Sequence, residues 1–554
     1  MSNTAILTVG GQELAKMLAA GAALLSANMD IVNDLNVFPI PDGDTGTNMK
    51  MTLDGGARAA SRGGESISAV ADAVADGMLY AARGNSGVIL SQFFAGIARG
   101  LAGCERASAA DLARALAEGV QSAYRSVRVP TEGTMLTVIR EAADEAAGDT
   151  VDSYLSSYIA AMHRSLDRTP ELLPVLREAG VVDSGGAGLI YIFEGMLRAL
   201  GGEVIEAVAT AAPAAPEMDF DAFGTDTAME LGYCTELLLR LQTAKCDPET
   251  FSVEPLVAYL EGIGNSIVAT KSGTVVKIHV HTLTPGAVLD YAQRFGEFLT
   301  VKIENMQLQH SNTTVENRYE AAHTDRAESA PQELKRNAFI TVATGEGLTE
   351  AFRSIGADYV ISGGQTMNPS AEDFLSAVGA LYAENIFILP NNSNILLTAE
   401  QAAALVQGTR MIVVPTRTIA EGYAALSMLD DPDGDPDEIL AGLTEVAAAV
   451  ATGEVTTAVR DCELSGVRAH KGDHIGIAGK QLLSADPDRL TATERLLDRM
   501  DMTDKAVLLV IFGQGVPEEE LEALRLYARK TYPELEWYAL DGGQDVYSYI
   551  LALE

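Results

Sequence analysis

The residues best suited to chemistry lie in Asn36–Met49, NVFPIPDGDTGTNM. Asp42 and Asp44 flank a single glycine, so their carboxylates can converge from a tight turn without backbone obstruction. Hard oxygen ligands of this kind suit Mg2+, which is commonly held by one or two carboxylates together with substrate phosphates. Thr45, Gly46, Thr47 and Asn48 then open a helix, whose free N–H groups favour an anion. Metal and phosphate can thus meet at one point. The same residues also make an ordinary Asp-Gly turn that caps a helix.

A second group involves sulfur and nitrogen. His279 and His281 sit two apart in Val275–His281, so on a strand they share one face. Cys234 lies on an earlier strand, with Gly232 and Glu236 on its alternating face. If the two strands are neighbours, Cys234, His279 and His281 converge, and one thiolate with two imidazoles suits Zn2+ with a fourth position open. A buried cysteine beside two hydrogen-bonding histidines fits the same pattern. The HKGDHI segment also has metal-like spacing, but Gly472 between strand-like flanks points to a hairpin turn.

These residues must be positioned by their surroundings. From Gln12 to about Leu200 the apolar residues recur at helical spacing, and glycine-bearing loops separate the helices. Those loops are Pro41–Asn48, Arg83–Gly87, Glu132–Gly133 and Asp183–Gly188. The Ala/Pro-rich stretch Ala207–Pro216 offers no face to bury and is expected to be a linker. Next comes a β-α-β-β-α-β order from Met229 to Met306, which suggests a split βαβ, ferredoxin-like region. In that fold the first and third strands are central neighbours, which would bring Cys234 beside His279 and His281. The polar stretch Ser311–Arg336 is a second linker. From Ala338 onward short apolar runs alternate with Ala/Leu-rich helices, the pattern of an α/β region with a largely parallel sheet. Its loops Gly363–Ser370, Pro390–Ile395 and Pro415–Gly422 each follow a strand and precede a helix. Such loops form the ligand-binding edge of α/β folds, and they also serve as ordinary caps.

The chain has 554 residues, enough for two to four domains. Lys and Arg number 39 and Asp and Glu 77, a net charge of −38 with His neutral. That excess disfavours a sequence-independent nucleic-acid binder or docking on an anionic membrane. The 47% hydrophobic content is enough for real cores, so the acidity belongs to folded surfaces. Four scattered cysteines without a C-x-x-C pair argue against a disulfide framework and for a reducing compartment. The N-terminus lacks signal-peptide character, and no apolar run approaches the roughly 20 residues of a transmembrane helix. A cytoplasmic location is expected.

Four segments occur in order: PDGDTGTNM, ARGNSG (Ala82–Gly87), EGTM (Glu132–Met135) and DSGGAG (Asp183–Gly188). Together they resemble the nucleotide-binding domain of the dihydroxyacetone kinase family, of DhaL or Dak2 type. The GYCTE and KIHVHT segments, with the final region, resemble the rest of the ATP-binding component of fatty acid kinases. The resemblance implies an all-α antiparallel eight-helix barrel at residues 1–205 and a linker at 206–225. It continues with a middle α+β region at 226–312, a linker at 313–336, and a DegV-like α/β region at 337–554 that docks a partner.

The resemblance also implies roles. Asp42 and Asp44 would hold Mg2+ between the phosphates of ATP. Thr45, Asn48, Ser86 and Gly87 would meet phosphates. Thr134 and Met135 fall in the third loop, and Asp183 and Gly185 in the loop near the sugar and base. The small-molecule kinases carry a further aspartate upstream. Here Asn36 stands near that place, which leaves open whether one or two Mg2+ bind. For the middle region, Cys234, His279 and His281 are implied to form a zinc site needed for activity.

The implied reaction is ATP-dependent phosphorylation of a fatty-acid carboxylate, presented by a separate DegV-like fatty-acid-binding protein, to give an acyl phosphate. Homodimer formation is left open. A dihydroxyacetone-type kinase of a small polyol and a non-enzymatic nucleotide-sensing scaffold are the alternatives. Because all four loops precede residue 189, nucleotide binding is expected to need nothing downstream.

Overall fold

The computed structural model describes residues 5–37, 43–60, 64–203, 205, 233–243, 245–247, 251–272, 275–305, 334–364, 368–406, 408–458, 461–479 and 481–554. The chain divides into two compact units, one comprising residues 1–208 with 332–554 and the other residues 209–331. The first linker expectation, 206–225, lies outside the described residues, as does most of the second. The strand that follows the second begins at Lys335, two residues inside the expected linker. Among the described residues no helix is long and apolar enough to cross a membrane.

In the first unit, ten helices precede residue 205 among the described residues. They are α1 (Gly11–Ala27), α2 (Met29–Asp34), α3 (Thr45–Ala60), α4 (Ile67–Ala81), α5 (Gly84–Gly100), α6 (Ala109–Arg125), α7 (Met135–Glu145), α8 (Val151–Leu172), α9 (Pro174–Ala179) and α10 (Ser184–Leu200). A two-residue ladder, β1 (Thr8–Val9) with β2 (Ala107–Ser108), ties the entry of α1 to that of α6. The eight longer helices pack on one another in chain order, and α10 packs back on α1, closing a ring. Their apolar stripes meet in one core that includes Leu18, Met49, Phe93, Tyr158 and Phe193.

Glycine inside a helix costs about 1 kcal/mol relative to alanine. Here the missing side chains let helices approach closely. A Cβ on Gly195 would lie 2.5 Å from the Ala20 carbonyl, and one on Gly55 would lie 2.5 Å from the Gly77 carbonyl. The α1–α10 and α3–α4 contacts are therefore backbone to backbone, which draws these neighbouring helices close.

Residues 335–413 form a four-stranded, wholly parallel sheet. Its strands are β7 (Lys335–Ala343), β8 (Tyr359–Ser362), β9 (Ala383–Leu389) and β10 (Arg410–Val413), in the order β10-β9-β7-β8. Buried on both faces, β7 and β9 are almost continuously apolar, as expected of parallel strands.

The largely parallel expectation fails beyond residue 450. There a six-stranded sheet is antiparallel at every pairing but one. It contains β11 (Ala451–Thr457), β14 (His474–Ala478), β15 (Gln481–Asp486), β16 (Val507–Phe512), β17 (Glu536–Asp541) and β18 (Tyr549–Leu553). Two of its strands carry a glycine that the apolar-run criterion discounts. Gly453 and Gly476 have no side chain where Met500 and Leu496 pack against the sheet. A small ladder, β12 (Cys462–Leu464) with β13 (Val467–Ala469), stands beside it. The HKGDHI turn links β13 to β14, and Gly472 adopts φ +95° there. Those strands belong to different sheets, so the turn is tight but does not close a hairpin.

The second unit has the order β3 (Tyr233–Leu241), α11 (Glu254–Glu261), β4 (Gly264–Ser272), β5 (Val275–Thr282), α12 (Pro285–Ala292) and β6 (Gly296–Asn305). Its sheet runs β4-β5-β3-β6 with every pairing antiparallel, so the first and third strands are central neighbours. Leu237, Leu239, Val276, Ile278 and Val280 are buried in one core with Leu256 and Leu260 of α11 and Val288 of α12.

Candidate functional site

Each of the four glycine-bearing loops opens a helix: α3, α5, α7 and α10. The structure brings these openings together. The Ser184 hydroxyl at the head of α10 donates to Thr45 Oγ1 at the head of α3, at 3.3 Å. Gly84 takes φ +58°, and its missing side chain leaves space that the Asn48 carboxamide occupies. Gly87, one turn into α5, abuts the Thr52 hydroxyl of α3. A Cβ on Gly185 would sit 3.0 Å from Met135 Sδ, which joins the fourth loop to the third.

Asp183 knits the last two loops. It is the N-cap of α10, and its carboxylate accepts from the Gly186 N–H at 2.7 Å. The Met135 N–H donates to the same carboxylate. Burial pushes this acid up to about 6, although both N–H groups pull the other way. The third loop is braced by Glu132, whose carboxylate accepts from Thr137 (2.6 Å), Arg140 (2.7 Å) and Tyr124 (3.1 Å). Thr134 is the N-cap of α7, but its hydroxyl donates to the Thr131 carbonyl.

Asp44 stands half-buried immediately before α3, and its carbonyl accepts the first helical bond from the Asn48 N–H at 2.9 Å. Asp42 lies outside the described residues. Asn36 is buried after α2, its N–H on the Asn33 carbonyl at 3.0 Å. Ser86 is half-buried in the first turn of α5.

One expectation needs correction. The N–H groups of Gly46 and Thr47 are not free for an anion, because both donate to Asn33 Oδ1, at 2.7 and 3.2 Å. Asn33 Nδ2 also donates to the Thr47 hydroxyl at 3.1 Å. Asn33 thus acts as a cap supplied from α2, and nothing in its sequence position reveals this.

The larger omission concerns residues far downstream. Asn368, in the loop that follows β8, is 2% exposed and donates through Nδ2 to Asp44 Oδ2 at 2.6 Å. The same nitrogen lies 3.4 Å from Asn48 Oδ1. Arg83 donates to the Asn368 carbonyl at 2.6 Å and pairs with Asp373 at 3.4 Å. The Ala371 N–H donates to the Ala82 carbonyl at 3.2 Å, and Asn85 donates to Asn394 Oδ1 at 3.1 Å. Two of the three strand-to-helix loops of the C-terminal region therefore cover the face of the ring where the helix-opening loops gather. The third, Pro415–Gly422, turns inward, where Thr416 and Asn391 bond each other.

In the second unit, β3 and β5 pair so that Cys234 stands opposite His281 and Glu236 opposite His279. All four positions share one sheet face, the reverse of the one that carries Leu237 and Ile278. The side chains of Cys234, His279 and His281 lie outside the described residues. Among the described residues no group of three or more His, Cys, Asp or Glu is placed to hold a metal ion.

Comparison with known proteins agrees along the chain. The DAK2 domain family matches residues 39–198. The middle-domain family of the FakA-like fatty acid kinase proteins matches residues 230–313, and their C-terminal family matches residues 338–554. Protein YloV of Bacillus subtilis (strain 168) is 38% identical over 564 residues, covering 99% of this chain and 100% of that protein. Among solved structures, the dihydroxyacetone kinase from C. freundii, in complex with AMP-PNP and Mg2+, aligns over 36% of each chain at 19% identity and TM-score 0.28. The Streptococcus pneumoniae fatty acid kinase B3 protein loaded with linoleic acid aligns over 40% of this chain and 99% of that one, at 12% identity and TM-score 0.28.

Proposed function

The chain belongs to the FakA-like fatty acid kinase family, and we propose that it is the component that binds ATP and transfers the γ-phosphoryl group to a fatty-acid carboxylate, giving an acyl phosphate. The observation that carries this reading is the convergence of four helix-opening loops, with the Asp44 carboxylate beside them. Helix N-termini favour phosphate, and a carboxylate at their mouth favours a hard cation.

The residues present fit Mg2+. Asp44 supplies a carboxylate, and a buried carboxamide oxygen of Asn368 lies close by without a hydrogen-bond partner. Asp44, with Asp42, would hold the metal, and Asn36 stands near enough in sequence to join them. When bound, Mg2+ would offset charge on the β- and γ-phosphates. Thr45, Asn48, Ser86 and Gly87 would orient the phosphates. Thr134, Met135, Asp183 and Gly185 would shape the sugar and base end. A carboxylate acceptor is already ionised at neutral pH, so the chain needs no general base. Its work is alignment and charge stabilisation.

The acyl chain must stay out of water, whereas a triphosphate site is polar. We therefore assign delivery to a separate DegV-like fatty-acid-binding protein docked on the C-terminal region. We take the regions as 1–205, 226–312 and 337–554, in a cytoplasmic protein that can pair as a homodimer. The strand order of the middle region supports a ferredoxin-like fold. The register of Cys234 against His281 supports a zinc site completed by His279.

The test is an assay with ATP, Mg2+, fatty acid and a lipid-loaded fatty-acid-binding protein, in which the acyl phosphate is trapped with hydroxylamine. Hydroxamate should form with the wild-type chain and should be lost in Asp44→Ala at matched circular dichroism. Hydroxamate formation by Asp44→Ala at the wild-type rate would remove Asp44 from the site.

A further inference from the structure

Asn368 is buried on every side, yet only half of its carboxamide is used. Its nitrogen donates to Asp44, while its oxygen is buried with no hydrogen-bond partner. Chemistry fixes this orientation of the amide. Reversed, it would set two oxygens against each other at 2.6 Å. A native protein rarely buries an amide oxygen unsatisfied, and such atoms mark sites of bound ions or water.

The surroundings are arranged to hold this residue in place. Pro369 restricts the residue before it to extended backbone. Arg83 clamps the Asn368 carbonyl. Gly84 lacks the side chain that would crowd the Asn48 and Asn368 amides. A second buried carboxamide oxygen without a partner, that of Asn85, belongs to the next residue of the same loop, and its nitrogen is held by Asn394. Two unpaired amide oxygens thus belong to the seam where the C-terminal region meets the nucleotide loops.

We propose that Asn368 is a positioning residue of the Mg2+–nucleotide site: its amide nitrogen fixes the Asp44 carboxylate and its amide oxygen faces the metal's coordination sphere. Occupancy of the nucleotide site is thereby coupled to the seating of the C-terminal region. This inference rests on Asp44 being a Mg2+ ligand. Residues that orient a metal-binding carboxylate typically change metal affinity about 10- to 100-fold when removed.

The experiment measures AMP-PNP binding to the full-length chain by calorimetry across a Mg2+ titration, for wild type, Asn368→Ala, Asn368→Asp and Asp44→Ala. Asn368→Ala should raise the Mg2+ concentration for half-maximal binding by about tenfold or more. Asn368→Asp, which sets a second carboxylate beside Asp44, should lower that concentration. Its melting temperature should also rise with added Mg2+ more steeply than that of the wild type. If Asp44→Ala loses Mg2+-dependent binding while Asn368→Ala keeps the wild-type titration, the inference fails and the site stands. Should Asn368→Ala not fold, the aspartate variant decides, and an unchanged titration there overturns the inference. Wild-type binding by Asp44→Ala would instead overturn the reading of the loop itself, and this inference with it.

Discussion

Arg83 donates a 2.6 Å hydrogen bond to the backbone carbonyl of Asn368, 285 positions away in sequence. The guanidinium is largely buried and also reaches Asp373 at 3.4 Å. One side chain from the entry of α5 thus pins the loop that carries Asn368 to the face where the helix-opening loops gather.

Arg83→Ala should loosen that seam. Hydrogen bonds involving a charged group contribute about 1.5–3 kcal/mol, and a loss of that order is expected in urea unfolding of the full chain. AMP-PNP affinity should fall in parallel, since Asp44 loses the neighbour that fixes it. Unchanged stability and unchanged affinity together would mean the contact carries no weight.

Asp183 gives a pH signature. Its pKa in the fold is about 6 against an ordinary 3.8, because burial disfavours the charge. The folded state therefore binds more protons than the unfolded state between about pH 4 and pH 6, and stability from this group is lost as pH rises through that window. Asp183→Asn keeps a good N-cap and removes the titration. The stability of the variant relative to wild type should rise, by on the order of 2 kcal/mol, between about pH 4 and pH 7. A difference that stays flat across the range would show that Asp183 does not titrate there.

Much of the molecule is legible in its sequence, for physical reasons. Helical periodicity marks the helices of the ring because each buries one stripe, and the four loops stand out because glycine punctuates each of them. Strand alternation puts His279 and His281 on one face, and the β-α-β-β-α-β order makes their strand the neighbour of the one that carries Cys234. The register of Cys234 against His281 is visible only in the structure. What is not legible depends on contacts between distant segments. Asn33 caps α3 from another helix, and Asn368 reaches Asp44 from another region. The expectation that nucleotide binding needs nothing downstream overlooked that second contact. The antiparallel strands β11, β14 and β15 were hidden because glycines and polar residues break their apolar runs where a helix packs closely.

The middle region should carry about one zinc ion per chain, given a site of this ligand count. Elemental analysis of protein purified without added metal measures it. Cys234→Ala combined with His281→Ala should remove the metal, because these positions face each other across β3 and β5. Zinc retained in full by the double variant would mean other ligands hold it.

The central claim is that this chain transfers phosphate to a fatty-acid carboxylate held by another protein. The most direct measurement follows 32P from [γ-32P]ATP in the presence of Mg2+ with three acceptors in turn: the lipid-loaded fatty-acid-binding protein, the same protein without lipid, and dihydroxyacetone. Label should pass into a hydroxylamine-sensitive acyl phosphate with the loaded protein alone, and Asp44→Ala should abolish it. Label appearing on dihydroxyacetone, or no transfer with the loaded protein while ATP still binds, would contradict the account.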